Sequence, residues 1–172
     1  MDRSARLSVR ELQSTDLSRV RRLIVQAIDA AYSDVYPARA LLFFKEFHSR
    51  QRILERHREG EVVVLEEDGE IVATGTLLGR EILGVFVSPA FQGRGYGRRV
   101  MQELEGRARA NGCPSCELSV SLTSRRFYEH LGYQMTGRRS LDVGRGDRLD
   151  YWTACKALAG EESGDELRED RT

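Results

Sequence analysis

The chain has 172 residues, 40% of them hydrophobic and 31% charged, which is the composition of an ordinary globular domain. Its formal net charge is zero, so the chain as a whole has no electrostatic preference for nucleic acid or for an anionic membrane. No stretch is apolar over the length that a membrane span needs, and the first residues lack the apolar core of a signal peptide, so we expect a cytoplasmic protein.

The first part of the chain predicts a strand followed by helices. Apolar residues alternate at residues 7–11, as in a short strand. Helical spacing of apolar residues then predicts a helix whose start can be capped by Thr15 and Asp16. A second helical region, broken or irregular, is predicted over residues 38–58, after Pro37.

The middle of the chain predicts a meander and a further helix. Asp68-Gly69 lies between two apolar runs, which is a strong signal for a hairpin turn. A third apolar run covers residues 81–87, so residues 61–87 predict three antiparallel strands. A glycine-rich turn follows and then an amphipathic helix over residues 96–110.

The last third predicts another strand at residues 116–122 and a short helix at 124–131. Two more strands, at 133–141 and 148–158, flank a polar, glycine-containing turn at 142–147. This order of elements predicts an α+β fold of three layers, a mostly antiparallel mixed sheet of about seven strands with helices on both faces.

We expect one domain over residues 1–159, followed by an acidic segment at 160–172. That segment has six acids, two arginines and almost no apolar residues, so we expect it to be disordered.

Cys113 and Cys116 have the C-x-x-C spacing of redox pairs and of half zinc sites. No second pair exists, and the three histidines are scattered along the chain rather than spaced as ligands. A redox pair is expected at a helix start, whereas this pair follows a predicted helix end. We therefore expect ordinary reduced thiols and no metal site.

The segment QGRGYG, residues 92–97, joins an apolar strand to a helix. Its three glycines leave the first amides of the helix bare, and these amides together with the helix dipole favour a phosphate. Arg94, Arg98 and Arg99 add positive charge, which an anionic cofactor would need. The segment lacks the Gly-Lys-Ser/Thr of a Walker A loop and the spacing of a dinucleotide fingerprint. Taken alone, it could also be a tight turn without a ligand.

With its surroundings, this segment resembles the GNAT superfamily of acyl-CoA-dependent N-acetyltransferases. Gln92, Gly95 and Gly97 match the family signature Gln/Arg-x-x-Gly-x-Gly/Ala, and the preceding V-x-V-x-P run resembles the family's fourth strand. Residues 127–133, FYEHLGY, resemble the second signature, an aromatic-Tyr-Glu-x-x-Gly-aromatic run. The resemblance covers roughly residues 7–156.

The resemblance implies that acetyl-CoA is the co-substrate and that strands four and five diverge around its pantetheine arm. Backbone groups of Val85, Phe86 and Val87, where the strand typically bulges, would pair with that arm. Amides of residues 93–98 would hold the pyrophosphate, with Gln92 shaping the loop. The implied set further comprises Gly93, Arg94, Gly95, Tyr96, Gly97, Arg98, Ser121, Ser124 and Tyr128. Ser121 and Ser124 stand where the family often has Asn and Ala, so their hydroxyls would reach less far.

The resemblance also implies the catalytic groups. Tyr128 stands where the family places a tyrosine that protonates the departing thiolate, although it could be only a core aromatic. Glu81 stands where several members carry a base that acts through water; a carboxylate sunk between the strands would be desolvated and so become a better base. An exposed glutamate at a turn is the alternative for Glu81, and the role could then pass to Asp142, Asp147 or Asp150.

The acceptor is expected between the first helices and the last hairpin, where the sequence is unusually aromatic. It would be a primary amine, either a small molecule or a peptide or protein amine. No nucleic acid or membrane partner is expected, and a homodimer is compatible with these features. Two alternatives stay open: a non-catalytic acyl-CoA-binding or sensing protein on the same scaffold, and an interaction protein whose glycine loop is only a turn.

Overall fold

In the computed structural model, residues 6–158 are described. This part of the chain contains seven strands: β1 (Leu7–Glu11), β2 (Glu61–Glu67), β3 (Glu70–Leu78), β4 (Glu81–Val87), β5 (Ser115–Ser121), β6 (Gln134–Gly144) and β7 (Asp147–Ala157). It also contains five α-helices: α1 (Leu17–Tyr32), α2 (Ala38–Phe47), α3 (Arg50–Glu59), α4 (Tyr96–Ala110) and α5 (Arg125–His130). The acidic segment 160–172 lies outside the described residues, so its expected disorder stays a prediction.

The order and type of the predicted elements are confirmed, including the break in the second helical region between α2 and α3. The last hairpin differs from the prediction because its strands are longer. β6 continues to Gly144 and β7 begins at Asp147, so the turn is formed by Arg145 and Gly146, both at positive φ. The polar residues assigned to a wide turn therefore mostly belong to the strands.

The seven strands form one mixed sheet in the order β1-β2-β3-β4-β5-β7-β6. Neighbouring strands are antiparallel except β4 and β5, which are parallel and share a single pair, Glu81 with Glu117. Because that pair lies near the beginning of both strands, β4 and β5 separate toward their carboxyl ends. The predicted divergence of strands four and five is thus present in the described structure.

The helices cover both faces of the sheet, as predicted. Alternate residues of β2 enter two separate cores: Val63 and Leu65 pack with α4, whereas Val62 and Val64 pack with α1 and α3. This alternation follows from the two-residue period of side chains along a strand. The sheet is therefore the middle of three layers. The gap between β4 and β5 lies within this middle layer, between the helices of the two faces.

A β-bulge distorts β4 beside the point of divergence. Thr74 and Thr76 of β3 face Phe86 and Leu83 of β4, so β4 contains one extra residue between them. Gly84 lies in this bulge at φ 63°, a left-handed backbone that glycine adopts without steric cost. The bulge supports the predicted irregularity of this strand near Val85.

Asp16 is fully buried at the start of α1 and links three elements. Asp16 occupies the predicted capping position of α1, but its carboxylate makes no capping hydrogen bond to that helix. It accepts instead from Arg10 Nη1 (2.6 Å), Arg19 Nη2 (2.8 Å) and the amide of Gln13 (2.8 Å). Hydrogen bonding to Arg10 lowers the pKa of Asp16 to about 2, against the opposing effect of burial.

We expect Asp16→Asn to lower the free energy of unfolding by about 2 kcal/mol at pH 7. The folded-state pKa lies below the ordinary value of 3.8, so the contribution is present above about pH 4 and is lost as the pH falls toward about 2. Denaturant titrations at pH 7 and at about pH 3 measure this difference. Asp29→Asn, at a 52%-exposed carboxylate paired with Lys45, is the control and should change little. An equal loss of unfolding free energy at both pH values would contradict a lowered pKa for Asp16.

No helix within residues 6–158 combines the length and the apolar character needed to cross a membrane.

Candidate active site

The glycine-rich loop that precedes α4 presents bare backbone. Gly93 and Gly95 have φ values of 78° and 79°, and a Cβ built on either would meet nothing within 4 Å. Gly95 is the N-cap residue that immediately precedes α4. The first amides of a helix have no hydrogen-bond partner within the helix. Among the described backbone hydrogen bonds outside the helices and strands, none uses an amide of residues 93–98. These amides are free to bind an anion at the positive end of α4.

A groove of about 510 Å³ extends from this loop to the gap between β4 and β5. It is lined by Ala27, Ala31, Tyr32, Val85, Phe86, Val87, Gln92, Gly93, Gly95, Tyr96, Gly97, Arg98, Thr123, Ser124, Phe127 and Tyr128. All of the residues predicted to bind the cofactor line it except Arg94 and Ser121. Gln92 also donates from its side-chain amide to the Val87 carbonyl (3.4 Å), a contact that helps to shape the loop.

Arg94 differs from the prediction in where its side chain lies. Its Nη1 is 3.4 Å from Glu67 Oε2, and its guanidinium lies 5.0 Å from the centre of the Phe91 ring. The hydroxyl of Tyr96 also donates to Glu67, and this hydrogen bond raises the pKa of Tyr96. The Arg94 side chain therefore anchors the loop to the end of β2 and leaves only its backbone for the groove.

A second cavity, of about 230 Å³, lies on the other side of the gap. Its walls are Tyr32, Phe43, Phe44, Phe47, His48, Glu81, Leu83, Gly84, Val85, Phe86, Ser119, Val120, Ser121, Ser124, Tyr128, Leu141, Leu149 and Tyr151. The residues that line both spaces are Tyr32, Val85, Phe86, Ser124 and Tyr128. The groove and the cavity therefore adjoin at the bulge of β4 and at Tyr128. We call the second space the acceptor cavity.

Tyr128 lies at this junction and is only 8% exposed. Its hydroxyl has no hydrogen-bond partner among the described residues, whereas its ring is packed edge-on against Phe127 and Tyr133. Burial raises the pKa of Tyr128 well above its usual range, and Tyr32 nearby adds to the effect. The phenol is therefore held protonated with its hydrogen available to a ligand.

Ser121 and Ser124 bond to each other, with their hydroxyl oxygens 2.7 Å apart. Ser121 also lies 3.1 Å from the Thr123 hydroxyl and faces the acceptor cavity rather than the groove. Ser124 faces both spaces. The two predicted hydroxyls thus form a small polar patch beside Tyr128, and only Ser124 reaches the groove.

Glu81 lines the acceptor cavity but is exposed. The expectation of a carboxylate sunk between the strands is wrong, because Glu81 lies at the end where β4 and β5 are still paired. Among the alternatives, Asp150 accepts from Ser140 and Arg138, and the Ser140 hydrogen bond lowers its pKa. That makes Asp150 a weaker base, and none of Asp142, Asp147 and Asp150 lines the acceptor cavity. Glu81 therefore stays the predicted base, in an exposed setting.

Three residues that shape the site are not among the predicted binding or catalytic residues. Ala27 and Ala31 of α1 line the groove, and two alanines four residues apart leave room on one helix face. Tyr36 bridges the carboxyl end of β5 to β7: its hydroxyl accepts from the Leu122 amide (2.9 Å) and donates to the Asp150 carbonyl (2.7 Å). It thereby satisfies a backbone amide at the end of β5, where that strand has left β4.

The cysteines lie away from both spaces. Cys113 and Cys116 are free thiols, and burial raises the pKa of Cys116 to about 11, which opposes thiolate chemistry. Within residues 6–158, no three side chains of His, Cys, Asp or Glu converge as metal ligands.

Diverging parallel strands, a bulge and a bare helix start are the features that the resemblance to the GNAT superfamily implies, and comparison with known proteins agrees. Residues 22–133 match the model of the acetyltransferase (GNAT) family, and the chain belongs to that family. Mycothiol acetyltransferase from Amycolatopsis mediterranei is 35% identical over 99 residues, which are 57% of this chain and 31% of that protein. The chain spans between 31% and 66% of the length of the curated relatives that it matches.

Solved structures share the fold. A GCN5-related N-acetyltransferase from Rhodopseudomonas palustris superposes with a TM-score of 0.80 at 21% identity, over 88% of this chain and 95% of that one. The PaiA N-acetyltransferase from Thermoplasma acidophilum, solved in complex with coenzyme A, has a TM-score of 0.68 at 16% identity, over 89% and 99% of the two chains. The predicted fold and family are thereby confirmed.

Proposed function

We propose that this protein is an N-acetyltransferase that moves an acetyl group from acetyl-CoA to a primary amine by direct attack within a ternary complex. One observation carries the proposal: the groove and the acceptor cavity meet at a buried tyrosine whose hydroxyl has no partner among the described residues. A donor and an acceptor molecule bound in these two spaces would meet beside a proton source. The coenzyme A complex of PaiA supports the choice of cofactor.

The free amides of residues 93–98 would hold the pyrophosphate of acetyl-CoA, and Arg98 would add positive charge at the same end of α4. The pantetheine would lie along Val85, Phe86 and Val87, where β4 has lost its pairing with β5. This backbone needs hydrogen-bond partners that the sheet does not supply there. The thioester would then reach the junction between the two spaces.

In the reaction, the neutral amine nitrogen attacks the thioester carbonyl carbon, and the carbon–sulfur bond then breaks. The departing sulfur takes the proton of the Tyr128 hydroxyl, while the amine nitrogen loses its proton through water to Glu81. The proton on Glu81 returns to solvent and Tyr128 is reprotonated, so the products are free coenzyme A and an amide. Tyr128 suits its role because burial keeps it protonated, and Glu81 suits its role because it contacts both the cavity and solvent.

A free-thiol release assay over a panel of primary amines tests this function. The expected result is release of coenzyme A that depends on both acetyl-CoA and one class of amine. Acetyl-CoA binding in calorimetry without turnover of any amine would instead indicate a sensing protein, and absence of binding would leave the glycine loop as a turn. The acceptor and the cytoplasmic location are likewise part of this proposal.

Replacing the proposed base should give a defect that depends on pH. We expect Glu81→Gln to lower kcat/KM about tenfold or more near neutral pH. The deficit should shrink in alkaline solution, because the amine then loses its proton to solvent. Initial rates against pH measure this effect.

The matched control for Glu81 is Glu117→Gln, since Glu117 is the exposed cross-strand neighbour of Glu81 and does not line the cavity. It should leave the profile unchanged. Equal effects of the two substitutions, or a deficit that is constant with pH, would remove Glu81 from the mechanism.

A further inference from the structure

His48 is a buried side chain in the wall of the acceptor cavity that the mechanism does not use. It lies between α2 and α3 and is only 5% exposed. Its ring is packed edge-on against Phe47 and Phe86, each about 5.1 Å away between ring centres. A Cβ built on Gly84 would lie 3.2 Å from His48 Cε1, so the ring is seated directly on the bulge of β4. The packing therefore holds the His48 ring in a fixed position beside the bulge of β4.

The protonation state of His48 follows from its partner. Its Nδ1 lies 3.0 Å from Nη1 of Arg56, and an arginine can only donate. Nδ1 must therefore accept, so a neutral ring carries its proton on Nε2. A doubly protonated ring would set two donors against each other, next to the charges of Arg56 and Arg21. Burial and these two charges lower the pKa of His48 to about 3.

Arg56 is itself fixed in place. It is 8% exposed, donates from Nη2 to the Phe47 carbonyl (2.6 Å) and lies 4.4 Å above the Phe47 ring. Among the ion pairs of the described residues, none includes Arg56, so its two hydrogen bonds go to neutral groups. Its charge polarises the imidazole and strengthens the N–H on the opposite nitrogen.

That opposite nitrogen is not engaged by the protein. His48 Nε2 has no hydrogen-bond partner among the described residues, yet it is not one of the enclosed atoms without a partner, which are Arg21 Nη1 and His57 Nδ1. His48 lines the acceptor cavity and its Nδ1 is engaged by Arg56, so Nε2 is the ring nitrogen left to bind a molecule there. An accessible N–H without a protein partner suits a ligand that accepts a hydrogen bond.

The rest of the cavity wall restricts that ligand further. Apolar side chains dominate it, and Phe43, Phe47 and Leu141 keep between 38% and 43% of their surface exposed. Glu81 is the one acidic side chain among the lining residues. The cavity thus offers apolar contact over most of its surface, and His48 is the one lining residue whose side chain carries an N–H.

Resting on the proposed function, we propose that His48 determines specificity: its Nε2–H binds a carbonyl or carboxylate oxygen of the acceptor, which is an apolar amine, and Arg56 holds the imidazole in that tautomer. His48 is accordingly a donor to the substrate and not a base. Arg56 is a positioning residue that acts through His48.

Nitrogen NMR of the full chain with ¹⁵N-labelled histidine tests the tautomer without any turnover. The His48 resonances, assigned by their loss in His48→Phe, should show a neutral ring protonated on Nε2 from about pH 6 to about pH 8. Arg56→Met should release a mixture of tautomers. A ring protonated on Nδ1, or a charged ring at neutral pH, would overturn the proposal. This measurement stands even if the protein acetylates no amine, in which case the proposed function alone would fail.

Kinetics with three amines of one shape test the specificity. Phenethylamine lacks an oxygen, phenylalaninamide carries a carbonyl and phenylalanine carries a carboxylate. We expect His48→Phe to reduce the ratio of kcat/KM for the oxygen-bearing amines over phenethylamine by about 10- to 100-fold, mainly through KM. His48→Gln, which restores an N–H donor, should recover part of the ratio. Because each ratio is compared between variants, the different basicities of the amines cancel.

His130→Phe is the matched control, because His130 is exposed and does not line the cavity. It should leave the ratio unchanged. Comparison of phenylalaninamide with phenylalanine shows whether His48 binds a neutral carbonyl or a carboxylate. A ratio that His48→Phe changes by less than about twofold for both would overturn the proposal.

Discussion

Tyr128→Phe should reduce kcat by about 10²- to 10⁴-fold while leaving the Kd for acetyl-CoA nearly unchanged. The substitution removes one hydroxyl and keeps the ring that packs against Phe127 and Tyr133. Since that hydroxyl has no partner among the described residues, no group is left unpaired by its loss. The departing sulfur would then leave as a thiolate, without a proton donor. Steady-state kinetics and calorimetry together separate the two effects.

The matched control is Tyr133→Phe, in the ring next to Tyr128. The Tyr133 hydroxyl donates to Glu105 (3.0 Å), away from both spaces, so its loss should lower stability without a specific effect on kcat. Thermal unfolding of both variants checks this difference. A Tyr128→Phe enzyme with wild-type turnover would remove Tyr128 from the mechanism and leave it a core aromatic.

Gly95→Glu should abolish acetyl-CoA binding, with a loss of affinity of at least about 100-fold. A Cβ at this position points into open space at the start of α4, where the proposed pyrophosphate lies. The new carboxylate would add a like charge there and would compete for the same free amides. Calorimetric titration with acetyl-CoA measures the loss.

Two further variants separate charge from backbone strain. Gly95→Gln has the same size and the same left-handed strain at φ 79° but no charge, so it should keep more affinity than Gly95→Glu. Gly106→Glu places the same carboxylate on an exposed position of α4, away from the groove, and should leave binding unchanged. Equal affinity of all three variants would mean that the loop does not hold the cofactor.

Much of the fold could be predicted from the sequence, because local signals were strong and consistent with one another. Asp68-Gly69 specified a hairpin, and both residues do adopt positive φ. For the last hairpin the sequence predicts strands that are too short, because Asp142 and Gly144 signal a turn although β6 continues through them. Turn composition there competes with strand pairing, and pairing across the sheet prevails.

The parts of the candidate site that use backbone groups could be predicted from the sequence. The parts that use side chains could be predicted less well. The glycine positions follow directly from the sequence, since bare amides require glycine. The direction of Arg94 depends on Glu67, a strand end distant in sequence, and no local pattern reveals that ion pair. The exposure of Glu81 depends on where β4 and β5 separate, which is a property of the sheet. The role of His48 is likewise not visible in the sequence, because its tautomer depends on a contact with Arg56 in the following helix.

A crystal structure after soaking in excess acetyl-CoA tests the central claim most directly. We expect the diphosphate on the amides of residues 93–98 and the thioester sulfur within hydrogen-bonding distance of the Tyr128 hydroxyl. Clear density for the cofactor elsewhere, or only solvent in an unobstructed groove, would contradict the account.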